Sequence, residues 1–379
     1  MRRWICSSGG NDLDDLELSG YMSSGARHLV KDALRASISD PRELLFLLRF
    51  RRSLKRSERR RKDLEGAGAH VPVFLIFSIT GSCNLFCRGC YARANGTCGR
   101  PIKAEMSVGD WRSVFRQAEG LGIPFNILAG GEPMMRMEVV LAAAEMRDTV
   151  FPVFTNGTLI GEKEVSLFKK HRNLVPVLSL EGGRERTDAR RGPGTYDTVT
   201  EVMGRLRSGH VFYGLSVTVT KENQDEVLSD GFLETVAGLG CGILFLIEFV
   251  PTDRSVAHLA PDAESRKVFD ARLAEIRRRK GRMRIMAFPG DERYMGGCIG
   301  AGRGFFHINP YGDAEACPAS PHSDVNLMNS TLEEVLSSPL FAEIRKRGMM
   351  EGDHAGGCAL AEREAEISAL LGSVGRDRM

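Results

Sequence analysis

From Val71 onward, short apolar runs alternate with longer stretches in which apolar and polar residues follow a helical period. VPVFLIFSIT (71–80) reads as a strand, followed by a loop and a helix near 107–120. IPFNILAG (123–130) precedes a helix from about 135 to 148, and VFPVFTNG (150–157) precedes one near 161–171. NLVPVLSLEGG (173–183), VFYGLSVTVT (211–220) and CGILFLIEFVP (241–251) are followed by helices near 195–208, 223–238 and 262–280. These six units predict an α/β fold of parallel strands joined by crossover helices. The strand runs are almost wholly apolar, as expected when helices cover a parallel sheet. Polar and glycine residues gather just after them: Gly130-Gly131-Glu132, Thr155-Asn156-Gly157, Ser179 with Glu181, Thr218 and Glu248. In α/β barrels the carboxyl ends of the strands are where active sites form.

The flanks read differently. Asp12 to Glu17 is acidic, and a helix is expected from about Leu29 to Arg61, with Asp40-Pro41-Arg42-Glu43 as a cap and first turn. Its second part passes from an apolar block into a basic one, nine of the fourteen residues from Arg49 to Lys62 being Lys or Arg. Two readings stay open: a helix docked by Leu44, Leu45, Leu47 and Leu48 with a solvated basic end, or a basic face for an acidic partner such as a small electron carrier. After Gly281 the alternation stops. Residues 290–327 are rich in Gly, Cys, His and Pro, which suggests a loop-rich domain organised by something other than a large core, and a last helix is expected near Glu362. The expected division is therefore 1–70, 71–281 and 282–379.

Composition narrows the function classes. The 379 residues are 42% hydrophobic and 27% charged, enough for a sizeable core. The net charge of +3 gives no reason to expect nucleic acid. No apolar run approaches the ~20 residues that span a bilayer. MRRWICSSGGNDLDD has no apolar stretch behind its arginines, so a signal peptide is not expected and the reading is cytoplasmic. Nine cysteines are many for such a chain, and a disulfide framework is not expected in that setting.

Three of the nine crowd into Cys83-Asn84-Leu85-Phe86-Cys87-Arg88-Gly89-Cys90, in a loop leaving the first strand. Three thiolates can hold one corner of a cubane iron–sulfur cluster, leaving one iron without a protein ligand, unlike the four-cysteine sites of ferredoxins. Zinc is the alternative, with Cys98 as a fourth ligand.

This C-x3-C-x2-C followed by Tyr91, with Gly130-Gly131-Glu132-Pro133 after the second strand, resembles the radical S-adenosylmethionine (SAM) superfamily. The resemblance covers roughly residues 71–280 and implies a partial (β/α)6 TIM-type barrel. It implies that Cys83, Cys87 and Cys90 ligate a [4Fe–4S] cluster whose open iron binds SAM. An electron entering that cluster cleaves SAM to a 5′-deoxyadenosyl radical, which abstracts hydrogen from the substrate. By position, Tyr91 lies against the adenine, and Gly130, Gly131 and Glu132 hold the methionyl amino group. Thr155, Asn156, Ser179, Glu181 and Thr218 fall where SAM's ribose or carboxylate is often touched; ordinary turn chemistry at strand ends is the other reading. Glu248 is a candidate SAM or substrate contact, or the partner of an arginine such as Arg191. No catalytic acid or base stands out.

Cys298 and Cys317 bracket a C-x13-G-x4-C segment in which Tyr311-Gly312-Asp313 reads as a hairpin turn. This is similar to the start of the SPASM auxiliary-cluster domain or its shorter version, Twitch. The dense cysteine series that completes SPASM is missing, and only Cys358 remains. The resemblance thus implies at most one auxiliary [4Fe–4S] cluster, on Cys298, Cys317 and Cys358. Its fourth iron is open or completed by Cys98, Cys241, His307, His322 or His354, while a zinc site or free thiols are the alternatives. Cys6 and Cys241 are expected to pack as small buried hydrophobes. Peptide or protein side-chain modification leads as the function, followed by small-molecule or cofactor biosynthesis and then a non-enzymatic iron–sulfur protein. Residues 1–70 lack the strand-rich pattern that captures leader peptides by strand addition. A flavodoxin- or ferredoxin-type electron donor is an expected partner, with Arg49 to Lys62 as its candidate surface.

Overall fold

The computed structural model describes residues 41–99, 103–252, 254–279, 283–351 and 358–374. The acidic stretch 12–17, residues 29–40 of the helix expected from Leu29 to Arg61, Cys6 and His354 lie outside the described residues.

Each apolar run read from the sequence forms a strand: β1 Phe74–Ser78, β2 Phe125–Ala129, β3 Phe151–Thr155, β4 Leu174–Ser179, β5 Gly214–Val219 and β6 Ile243–Glu248. All pair in parallel and in chain order. The crossover helices fall where the period places them. Val108–Leu121 shows why: the Ser107 and Asp110 side chains form a reciprocal capping box, and Gly122, left-handed at φ 80°, ends it. Its Trp111 and Phe115 bury their rings against Phe77 of β1, and Phe115 meets Phe151 of β3 edge-on at 5.3 Å.

The sheet continues beyond the six units. β7 Arg284–Phe288 adds to β6 in parallel. At the other edge β8 His307–Ile308 joins β1 in parallel, and β9 Ala314–Glu315 pairs antiparallel with β8 across the expected hairpin turn. The order β7-β6-β5-β4-β3-β2-β1-β8-β9 leaves the barrel open, and the carboxy-terminal region forms one of its walls. That region is loop-rich, but it is not built without a core. Phe305, Phe306, Ile308, Phe341, Ile344, Leu360 and Ile367 belong to the same buried cluster as the barrel, and Phe305 stacks on Phe74 of β1 at 5.0 Å.

The amino-terminal helix Pro41–Gly66 docks on a different stripe from the expected one. Of the four expected leucines, Leu47 is buried and Leu44 half-buried, while Leu45 and Leu48 face solvent; Phe50 and Leu54 join Leu47, following the i, i+3, i+7 spacing of one helix face. Phe50 and Leu54 pack with Val150, Phe125 and Val175, residues at the amino ends of β2, β3 and β4. Arg61, inside the basic block, is buried and donates to the Gly122 carbonyl. The helix therefore crosses the rim opposite the cysteine loop, and its basic stretch gains no positional support as a docking face for an electron donor. Leu54→Ala is expected to cost about 2–5 kcal/mol, whereas Leu45→Ala, at a site 67% exposed, should stay within ~0.5 kcal/mol. Urea midpoints of the two variants check this. No helix among the described residues is long and apolar enough to cross a membrane.

Candidate active site and its iron–sulfur ligands

Parallel pairing gathers the carboxyl ends of β1 to β6 on one rim, and the residues singled out after each strand meet there. The turn after β2 is zipped onto the cysteine loop: Gly131 N–H donates to the Thr80 carbonyl (2.7 Å) and Glu132 N–H to the Ser82 carbonyl (2.8 Å). This approach requires the two glycines. A Cβ on Gly131 would sit 2.1 Å from the Ser82 oxygen, and one on Gly130 would sit 2.4 Å from that of Thr80.

Glu132 is 1% exposed. Its carboxylate accepts from Thr155 Oγ1 (2.6 Å), Asn156 N–H (2.7 Å) and Met134 N–H (3.0 Å). Burial pushes its pKa up to about 7, against the pull of those donors. Among the described residues no cationic side chain pairs with it, so the site fits a ligand's ammonium group. Asn156 also reaches the cysteine loop, donating to Asn84 Oδ1 at 2.9 Å.

Glu181 has another task. It is buried and accepts from Arg190 (2.6 Å), Arg191 (2.7 Å) and the Thr218 N–H (3.0 Å). Arg191, held this way, points Nη1 at Cys87 Sγ, 3.9 Å away. Burial raises the Cys87 thiol pKa, and Arg191 opposes that rise. Glu248 pairs with Arg266 at 3.3 Å, not with Arg191. Ser179 ends β4 opposite Ser216 of β5. The Tyr91 hydroxyl meets Ser78, while Phe249 crowds Gly89, where a Cβ would lie 2.8 Å from its ring. Cys98 hydrogen-bonds Cys83 and holds its pKa below the usual thiol value. Among the described residues no three His, Cys, Asp or Glu side chains gather tightly enough to hold one metal ion. A cubane makes a different demand, one thiolate to each ligated iron.

Residues 77–230, from β1 into the helix after β5, match the family model of the radical SAM superfamily. The stretch that carries the cysteine loop and the turn after β2 is a radical SAM domain. This radical SAM enzyme is 28% identical over 313 residues to the mycofactocin maturase MftC of Mycolicibacterium smegmatis, covering 77% of this chain and 76% of the relative. An AdoMet-dependent heme synthase of Nitratidesulfovibrio vulgaris is 29% identical over a shorter stretch, 41% of this chain and 43% of the relative. The fold matches the crystal structure of Streptococcus suis SuiB bound to S-adenosylmethionine with a TM-score of 0.62 at 17% identity, over 88% of this chain and 84% of that one.

The radical SAM enzyme carries its second set of cysteines in the wall beside β1. Cys298 and Cys317 are buried and Cys358 is half-buried. Gly300 lies where the three cysteine-bearing segments meet: a Cβ there would lie 3.5 Å from Cys298 Sγ, 3.0 Å from the Ala316 carbonyl and 3.1 Å from the Leu360 side chain. Burial raises the pKa values of Cys298 and Cys317, and repulsion from Glu292 and Cys358 adds to the rise. Of the expected fourth ligands, Cys98 sits at Cys83, and Cys241 lies before β6 on the opposite rim, bonded to the Ile243 carbonyl (3.2 Å). His322 pairs with Glu364 (2.8 Å) and His307 with Glu315 (2.7 Å).

Three features escaped the sequence reading. Arg190 and Arg191 end a helix, Arg184–Arg191, that was not expected. His307 bridges Ser78 (2.7 Å) and Glu315, a buried histidine–carboxylate pair. The hairpin turn carried that signal, since its register sets His307 opposite Glu315. Glu292, on the turn Gly290–Met295, is the third.

Proposed function

We propose that this radical SAM enzyme modifies a peptide or protein side chain and holds one auxiliary [4Fe–4S] cluster beside its SAM-binding cluster. The convergence of Cys298, Cys317 and Cys358 in the wall next to the barrel rim carries the reading. The extent of the likeness supports it: the maturase match runs over three quarters of both chains, and the heme synthase match over less than half of each.

In this reading Cys83, Cys87 and Cys90 hold the first cluster, and Gly130, Gly131 and Glu132 seat the methionyl ammonium of SAM. With cluster and SAM bound, the pair supplies one-electron cleavage of SAM and a hydrogen-abstracting radical. The chain's own share is placement and charge. Thr155 and Asn156 fix the Glu132 carboxylate, and Asn156 ties that seat to Asn84 in the cysteine loop. Glu181 and Thr218 act through Arg191, whose positive charge beside Cys87 favours the thiolate. Ser179 and Tyr91 complete the rim, Tyr91 anchored through Ser78.

Cys317→Ala is expected to lower bound iron by about four per chain, one cubane, with 5′-deoxyadenosine production from SAM persisting; an unchanged iron count would remove the auxiliary cluster. Substrate class is tested with host extract grown on deuterated amino acids and split by a membrane that passes metabolites and retains peptides. Deuterium in 5′-deoxyadenosine from the retained fraction supports a peptide or protein substrate. Deuterium from the filtrate alone points to a small molecule.

A further inference from the structure

With the auxiliary cluster as its premise, we propose that the Glu292 carboxylate binds the iron that Cys298, Cys317 and Cys358 leave without a thiolate. Glu292 is 5% exposed. Its Oε1 accepts from Ile299 N–H at 3.1 Å, one residue past Cys298, and its carboxyl also hydrogen-bonds the Cys298 thiol. Its backbone is fixed from both sides, the N–H by the Pro289 carbonyl (2.7 Å) and the carbonyl by Gly297 N–H (3.1 Å). The side chain is thus set beside the point where the three cysteine segments meet.

Burying a carboxylate without a cation in contact is costly. No Lys or Arg forms an ion pair with Glu292 among the described residues. The charge of the nearby Arg303 acts on Glu292 from a distance, while its guanidinium donates to the carbonyls of Met295, Gly297 and Cys298. An iron ion supplies a positive charge in direct contact, and carboxylate oxygen is an ordinary donor to first-row metals. The four described residues expected to complete the cluster are engaged elsewhere, and Glu292 is the carboxyl group that hydrogen-bonds Cys298.

The test isolates the auxiliary site by replacing Cys83, Cys87 and Cys90 with Ala in the full chain, then varying residue 292. An iron without a protein ligand is the one a cubane releases on mild oxidation. With Glu292 present, reconstituted protein should keep about four irons per chain through a ferricyanide challenge. Glu292→Ala should fall to about three, with the EPR signal of a three-iron cluster, and Glu292→Cys should restore four. Equal iron loss with and without Glu292 would overturn the assignment, as would a loss produced by His354→Ala and not by Glu292→Ala. If the triple variant binds no iron at all, the auxiliary cluster falls together with its ligand. Iron that is present but indifferent to residue 292 overturns the ligand alone.

Discussion

Cys87→Ala is expected to stop 5′-deoxyadenosine formation from SAM, by at least ~100-fold or about 2.7 kcal/mol of barrier, while leaving the fold in place. Cys87 stands in the loop between β1 and the short helix Tyr91–Ala94, outside both buried apolar clusters. Its removal takes away one of three thiolates and leaves Arg191 beside an empty position. No strand pairing depends on it. Circular dichroism and the thermal midpoint should therefore match the parent protein, and the iron lost should be that of the first cluster. Retained 5′-deoxyadenosine production would take Cys87 out of the site. A collapsed melting profile would make it a structural residue.

Gly131→Ala should be nearly as damaging for a different reason. The added methyl meets backbone, the Ser82 oxygen at 2.1 Å and the Ser82 carbon at 2.5 Å, with Cys83 Cβ at 3.1 Å. Backbone held by the paired hydrogen bonds of Gly131 and Glu132 cannot rotate away as a flexible side chain can. The two loops must separate, moving Cys83 and the Glu132 seat apart. Overpacking strain of about 1–3 kcal/mol corresponds to SAM binding weakened roughly 10- to 100-fold at ~1.4 kcal/mol per decade. Equilibrium dialysis with labelled SAM measures it. Gly120→Ala is the control: the site is on an exposed helix face with nothing within 4 Å of the new methyl, so binding should not change. Equal binding by Gly131→Ala would show that the turn after β2 does not seat SAM.

What was legible in the sequence follows the range of the interactions. Cys83, Cys87 and Cys90 are close in the chain, and each barrel strand announces itself by a local apolar run, so both could be read directly. Glu132 was legible because its neighbours Gly130 and Gly131 are needed by the same turn. The amino-terminal helix shows where a block misleads: four clustered leucines suggested the docking face, but helical spacing buries Phe50 and Leu54 and turns Leu45 and Leu48 outward. β7 carries a charged first residue and exposed side chains, and β8 has only two residues, so neither looks like a buried strand in isolation. The Glu181–Arg191–Cys87 chain and the approach of Glu292 to Cys298 are tertiary. They depend on which loops the barrel closes together, and no spacing in the chain records that.

Iron and acid-labile sulfide measured on the anaerobically reconstituted protein, with EPR of the reduced state before and after SAM, address the central assignment most directly. The expected result is about four irons and four sulfides for the barrel cluster, about eight of each with the auxiliary one, and a spectrum that changes when SAM is added. A protein that binds a single zinc at Cys83, Cys87 and Cys90, without sulfide and without response to SAM, would contradict it.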